Sequence, residues 1–140
     1  MLTNQQIELI RNSWSKVVPI SKVAGIMFYD RLFEVAPSVK PLFKSPLSEQ
    51  SVKLMSMLGM VVGHLDKLDV ISSQVAQLAQ RHNAYGAKPE HYTVVGECLI
   101  WTLEQGLGDD FDSATKEAWL AAFTALSGIM IDAQRQSAVA

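Results

Sequence analysis

Three polar side chains lie on helix faces that are otherwise apolar, and each could form hydrogen bonds inside a core. His82 follows Leu78 on one such face, Gln50 precedes Leu54 on a second, and Tyr29 lies on a third. Burying a group of this kind without a partner costs about 1–3 kcal/mol. Because the three groups belong to separate segments, they indicate a shared pocket that encloses something polar.

The segments that carry these groups are all predicted to be helical. Apolar residues recur at helical spacing along the chain, with no sustained two-residue alternation. All five prolines fall between the periodic segments, where a helix must begin or end. The pattern predicts an all-α fold with helices at about 4–18, 20–35, 37–43, 48–66, 71–84, 90–106 and 113–135.

Length and composition favour one compact domain. A chain of 140 residues buries roughly 70% of its unfolded surface, so it needs no disulfide or metal to hold a core. The net charge is −2, and the Lys and Arg residues form no basic stripe, which argues against nucleic acid as a partner. Cys98 is the single cysteine, so no internal disulfide is expected, as suits a reducing cytoplasm.

Neither an export signal nor a membrane span is predicted. The N-terminal stretch MLTNQQIELIRNSW lacks the apolar run of a signal peptide. The most apolar stretch, LMSMLGMVVGHL at 54–65, contains polar residues and is shorter than the roughly 20 residues that cross a bilayer. We therefore expect a cytoplasmic protein with no membrane partner.

Four stretches of the chain, taken in order, resemble globins, and most closely the haem domain of bacterial flavohaemoglobins. FYDRLFEVAPSVKPLF (28–43) is similar to the second and third globin helices, and QSVKL (50–54) to the distal helix. LAQRH (78–82) resembles the proximal helix, and KPEHYTVVGECL (88–99) the start of the helix after it. The resemblance implies one globin domain over 1–140, a three-over-three helical sandwich around haem b (iron protoporphyrin IX).

By this resemblance, His82 is the iron ligand and the only metal-binding residue. A neutral imidazole coordinates through one ring nitrogen, while the other donates a proton to an acceptor that fixes the tautomer. The alternative is a buried histidine that donates to a backbone carbonyl. His64, late in a long helix, and His91, in a first helical turn, are weaker candidates for which capping or solvated roles are commoner.

Tyr29 and Gln50 match the donors that a high-affinity globin pocket directs at a bound gas. A hydrogen bond to a strongly polarised acceptor contributes roughly 1.5–3 kcal/mol, which corresponds to about tenfold to a hundredfold in affinity. For Tyr29 the alternative is a core tyrosine whose hydroxyl contacts a backbone carbonyl.

The remaining haem contacts follow from the same resemblance. Phe43 would stack on the porphyrin, while Lys53 and Arg81 would reach the propionates. The apolar walls would be Leu54, Leu78, Val95 and Leu99. Ordinary core packing for the apolar residues, and solvated surface charge for the two cations, are the alternatives.

The support of the proximal histidine differs from the family pattern. Flavohaemoglobins hold this histidine with a tyrosine and a glutamate, and Tyr92 matches the tyrosine. Gln134 occupies the position of the glutamate, with Asp132 nearby. A neutral amide would strengthen the imidazole less than a carboxylate does, which puts redox catalysis in doubt more than gas binding.

The resemblance implies reversible binding of dioxygen and other diatomic gases, for transport, storage or scavenging, without catalysis. The enzymatic alternative is a nitric oxide dioxygenase served by a separate reductase, since a chain ending at Ala140 has no room for flavin or nicotinamide sites. A gas sensor and a haem-free interaction protein are further alternatives. We expect a monomer or a weak homodimer.

Overall fold

The computed structural model describes residues 2–42, 46–71, 73–77, 79 and 89–139, with the backbone alone for 42, 68, 69, 89, 90 and 134–139. Within these ranges every regular element is helical, which confirms the all-α prediction. The α-helices are α1 (Asn4–Val17), α2 (Ser21–Val35), α3 (Leu47–Gly63), α4 (residues 73–77 and 79), α5 (Pro89–Leu107) and α6 (Ser113–Val139). Short 3-10 helices cover Val18–Ile20, Pro37–Leu42, Leu68–Ile71 and Gly108–Asp110. Among the described residues no helix is both long enough and apolar enough to cross a membrane.

Side-chain caps fix the starts of α1 and α6. Thr3 accepts a hydrogen bond from the amide of Gln6, whose own side chain accepts from the amide of Thr3, so a capping box closes the first turn. At the other end of the chain, Asp112 Oδ1 accepts from the amide of Thr115 at 2.8 Å. Both caps satisfy backbone donors that a helix start leaves without partners.

The segment predicted as a helix at 37–43 is instead a 3-10 helix over Pro37–Leu42. Pro41 is four residues after Pro37 and has no amide hydrogen, so it cannot donate the i to i−4 bond that an α-helix requires there. A tighter 3-10 path does not depend on that bond.

Helix α3 ends at Gly63, three residues before the predicted end at 66. His64 Nδ1 lies 2.8 Å from the carbonyl oxygen of Met60, and because a carbonyl can only accept, the imidazole donates. The amide of His64 bonds to Val61, three residues back, which is a 3-10 closure of the last turn. His64 therefore has the capping role that the sequence favoured for it.

Contacts between several pairs of helices hold the elements together. Helix α1 packs on α6 and α3, helix α2 packs on α3 and α5, and α5 packs on α6. The α1–α6 contact includes a buried hydrogen bond of 2.8 Å from Trp119 Nε1 to Ser13 Oγ. Arg11 donates to the carbonyl of Val62 at 3.2 Å and so ties α1 to the end of α3.

Candidate functional site

Tyr29 lies in the core at the interface of α2 with α3. Its side chain is 6% exposed and is packed edge-on against Phe28 and tilted against Phe33, with ring centroids 5.0 and 6.0 Å away. Burial raises the pKa of Tyr29 to about 12, since the charged phenolate would lose its hydration. At physiological pH the side chain is a neutral phenol that keeps its proton to donate.

The Tyr29 hydroxyl lies against α3 at Gln50. The phenolic oxygen is 3.5 Å from the backbone carbonyl oxygen of Gln50, at the outer limit of a hydrogen bond. The contact is to backbone, as in the alternative considered for this tyrosine, and this carbonyl is in the position to accept from Leu54 within the helix. The structure thus brings together the two predicted donor residues, in neighbouring helices.

Leu54 is one helical turn beyond Gln50, on the same face of α3. The side chains of both residues are half-buried. Lys53, predicted to bind a propionate, is exposed on the adjacent face. This end of α3 therefore presents an amide, an apolar side chain and an exposed cation within two turns.

Three predicted contact residues follow one face of α5. Tyr92 and Leu99 are buried and Val95 is half-buried, at the spacing of one turn each. Leu99 and Tyr92 belong to the same core cluster as Tyr29. Burial raises the pKa of the Tyr92 phenol, which also remains neutral at physiological pH.

Four of the predicted residues lie outside the part of the chain that the structure describes: His82, Phe43, Leu78 and Arg81. The side chain of Gln134 is outside it too, while Asp132 is exposed on α6. His91 is half-buried in the first turn of α5. Among the described residues no group of three or more His, Cys, Asp or Glu side chains could hold a metal ion.

Two small residues that the sequence did not indicate as part of the site lie where α2 meets α3. A Cβ atom placed on Gly25 would be 2.8 Å from Ser51 Cβ and 3.3 Å from Ser51 Cα. Gly25 is one turn before Tyr29, and Ser51 follows Gln50 directly. The sequence signal for this close approach is that Gly25 and Ser51 are both small residues near the two predicted donors.

The sequence also did not predict a groove of about 600 Å³ between α5 and α6. Trp101 and Leu120 line it, and the guanidinium of Arg31 lies 5.0 Å from the Trp101 ring centroid. It includes Tyr92 but neither Tyr29 nor Gln50. The groove is therefore separate from the Tyr29–Gln50 pair.

The family model described as Globin matches residues 26–130, a range that includes Tyr29, Gln50 and most of α6. The chain belongs to the globin family.

Similar globins come from bacteria and fish. A flavohemoprotein of Vibrio cholerae is 32% identical over 139 residues, covering 94% of this chain and 34% of its own length. The globin thus spans about a third of that relative. A neuroglobin of Tetraodon nigroviridis is 29% identical and covers 92% of this chain and 90% of its own.

A solved bacterial globin has the same fold. The globin of Campylobacter jejuni superposes with a TM-score of 0.89 at 28% identity, covering 99% of this chain and all of its own. The globin fold that the sequence implied is thereby confirmed.

Proposed function

We propose that this globin binds haem b with His82 as its iron ligand and binds dioxygen reversibly beside Tyr29 and Gln50. Membership of the globin family supports haem as the group that the fold holds. The observation that carries the distal assignment is that the buried, neutral Tyr29 lies beside Gln50, with its hydroxyl oxygen 3.5 Å from the Gln50 backbone carbonyl oxygen, so that the two donor residues meet at the α2–α3 interface.

The described residues leave apolar surface that a bound apolar group would cover. Leu54 and Val95 are only half-buried, although Leu58 and Leu99, one turn further along the same helices, are each 6% exposed. Covering the remaining apolar surface is favourable by roughly 25 cal/mol per Å². Phe43, Leu78 and Leu99 complete the proposed contacts, and Lys53 and Arg81 neutralise the propionates.

Bound haem would supply an iron that binds a diatomic gas, and the His82 imidazole would be the protein ligand that holds this iron. Tyr29 would donate a hydrogen bond to the gas, because its pKa of about 12 keeps the phenol protonated. The Gln50 amide adds a second donor from α3. Each such bond contributes roughly 1.5–3 kcal/mol, so the pair slows the release of dioxygen.

Tyr92 and α6 support the proximal side. The Tyr92 hydroxyl orients His82, and Gln134 takes the place of a carboxylate. An amide leaves the imidazole a weaker electron donor than a carboxylate would. This favours a carrier, store or scavenger of dioxygen over an oxidation catalyst.

Nitric oxide dioxygenation is the second candidate, because a flavohemoprotein is 32% identical over nearly the whole chain. Conversion of nitric oxide and dioxygen to nitrate would require electrons from a separate reductase. Consumption of nitric oxide with a supplied reductase, at a rate matching two-domain flavohemoproteins, would favour this function over the carrier.

The proposal is tested by loading the chain with haem and measuring dioxygen dissociation by stopped flow. A Soret band is expected, and Tyr29→Phe should raise the dissociation rate about tenfold, the value of one lost hydrogen bond. Thr102→Val is the matched control, since it removes another buried hydroxyl, one that donates to Cys98 within α5. A chain that binds no haem, or an unchanged rate in Tyr29→Phe, would overturn the proposal.

A further inference from the structure

We propose that the groove between α5 and α6 binds an organic ammonium ion with an apolar body, and that Glu97 is the anionic partner of this ion. The groove includes neither Tyr29 nor Gln50, so the proposal does not depend on gas binding. It follows from the volume of the groove, from its apolar walls and from the charges along α5.

The groove has the size and the walls of a small-molecule site. Its volume of about 600 Å³ lies within the range of roughly 300–1,000 Å³ that is usual for ligand pockets. Leu120 is 43% exposed on the α6 side, and the half-buried Trp101 and Phe123 also line the groove. An apolar body that covers these side chains would remove their surface from water, which is favourable.

Three side chains on one face of α5 determine the charge that the groove accepts. Glu97, Trp101 and Glu104 follow one another at spacings of four and three residues, so they are neighbours on the helix surface. Cations of the chain itself already occupy two of these positions. The guanidinium of Arg31 lies 5.0 Å from the centroid of the Trp101 ring, and Lys116 Nζ is 3.0 Å from Glu104 Oε1.

Glu97 is the position that remains open. It is exposed, and among the residues that the structure describes it forms no ion pair. The two described cations that line the groove are each paired with a carboxylate, Arg31 with Glu34 at 3.4 Å and Lys116 with Glu104. The charge that is left without a partner is therefore negative, and a ligand that completes the pattern is a cation.

An ammonium group suits Glu97, and an apolar body suits the walls beside it. Because Glu97 and Trp101 are one turn apart, a cation bound to the carboxylate has the indole ring as its neighbour, and the face of an indole attracts cations. Since Glu97 is exposed to water, the ion pair changes the affinity only modestly, by about twofold to fivefold.

The test follows three ligands of similar shape by NMR titration of the haem-loaded, carbon monoxide-bound protein at low salt. Phenethylammonium should bind about twofold to fivefold tighter than neutral phenethyl alcohol, and the anion hydrocinnamate should bind most weakly. The indole N–H signal of Trp101, assigned by its loss in Trp101→Phe, should move with phenethylammonium. The signal of Trp119 is the internal control and should stay, because its indole is buried and donates to Ser13 at 2.8 Å.

Glu97→Gln removes the anionic partner and leaves the walls of the groove intact. It should lower the affinity for phenethylammonium to that for phenethyl alcohol, while dioxygen dissociation stays at the parent rate. Glu8→Gln is the matched control, since it is the same substitution at an exposed position of α1, outside the groove. It should change neither quantity.

Equal binding of the three ligands, or tighter binding of hydrocinnamate, would contradict the assignment of the groove to a cation. A preference for phenethylammonium that persists in Glu97→Gln, or a Trp101 signal that does not move, would contradict it as well. If the Trp101 signal moves when the protein alone is diluted, a second copy of the chain covers the groove, and this result would also overturn the proposal.

Discussion

At the residue scale, the site is defined by a phenol enclosed between aromatic rings and directed at the neighbouring helix. The sequence predicted that Tyr29 and Gln50 are polar groups of one shared pocket, because each interrupts an apolar helix face. A backbone carbonyl was the alternative partner for the Tyr29 hydroxyl, but that it is the carbonyl of Gln50 could not be predicted, because this depends on how closely α2 and α3 approach. His82 remains a prediction, as it lies outside the described residues.

The raised pKa of Tyr29 predicts a loss of stability in alkali. The unfolded phenol ionises near pH 10 and the folded one near 12, so between these values only the unfolded state releases its proton. The free energy of unfolding should therefore fall as pH rises through this window, by up to about 2–3 kcal/mol.

Urea unfolding of the parent and of Tyr29→Phe at pH 8, 10 and 11.5 measures this loss. The variant should lose less stability than the parent, and the difference between them should appear only above pH 10. Equal losses in the two proteins would mean that Tyr29 ionises with an ordinary pKa.

At the element scale, helix starts were predictable and some helix ends were not. The capping box of Thr3 and Gln6 and the Asp112 cap are local in sequence, and both are present. The end of α3 depends on the His64 side chain, which turns back to the carbonyl of Met60. The 3-10 helix at Pro37–Leu42 depends on the amide hydrogen that Pro41 lacks. Hydrophobic periodicity carries no information on either event.

The capping box makes a prediction for α1. Thr3→Ala removes the acceptor for the Gln6 amide and should cost about 1 kcal/mol of unfolding free energy. The melting temperature should fall by roughly 2–5 °C for a domain of this size. Thr124→Ala, at an exposed position within α6, is the control and should not lower it. Similar melting temperatures for the two variants would show that the cap contributes nothing.

At the scale of the whole molecule, family membership followed from the order and spacing of a few residues along the chain. The fold was predictable because these residues resemble globin positions in both type and order, and the family model indeed matches residues 26–130. The close approach of Gly25 to Ser51 and the groove at Trp101 could not be predicted from the sequence, because both arise from residues that are distant along the chain. Small residues have no pattern of their own, and only the packed structure shows which of them are constrained.

The most direct test of the account is the iron–histidine stretching band in the resonance Raman spectrum of the ferrous, gas-free protein. We expect a five-coordinate spectrum with this band, its loss in His82→Gly, and its return when free imidazole is added. His64→Ala and His91→Ala are the controls and should retain it. Persistence of the band in His82→Gly, with its loss in either control, would contradict the assignment of His82 as the iron ligand.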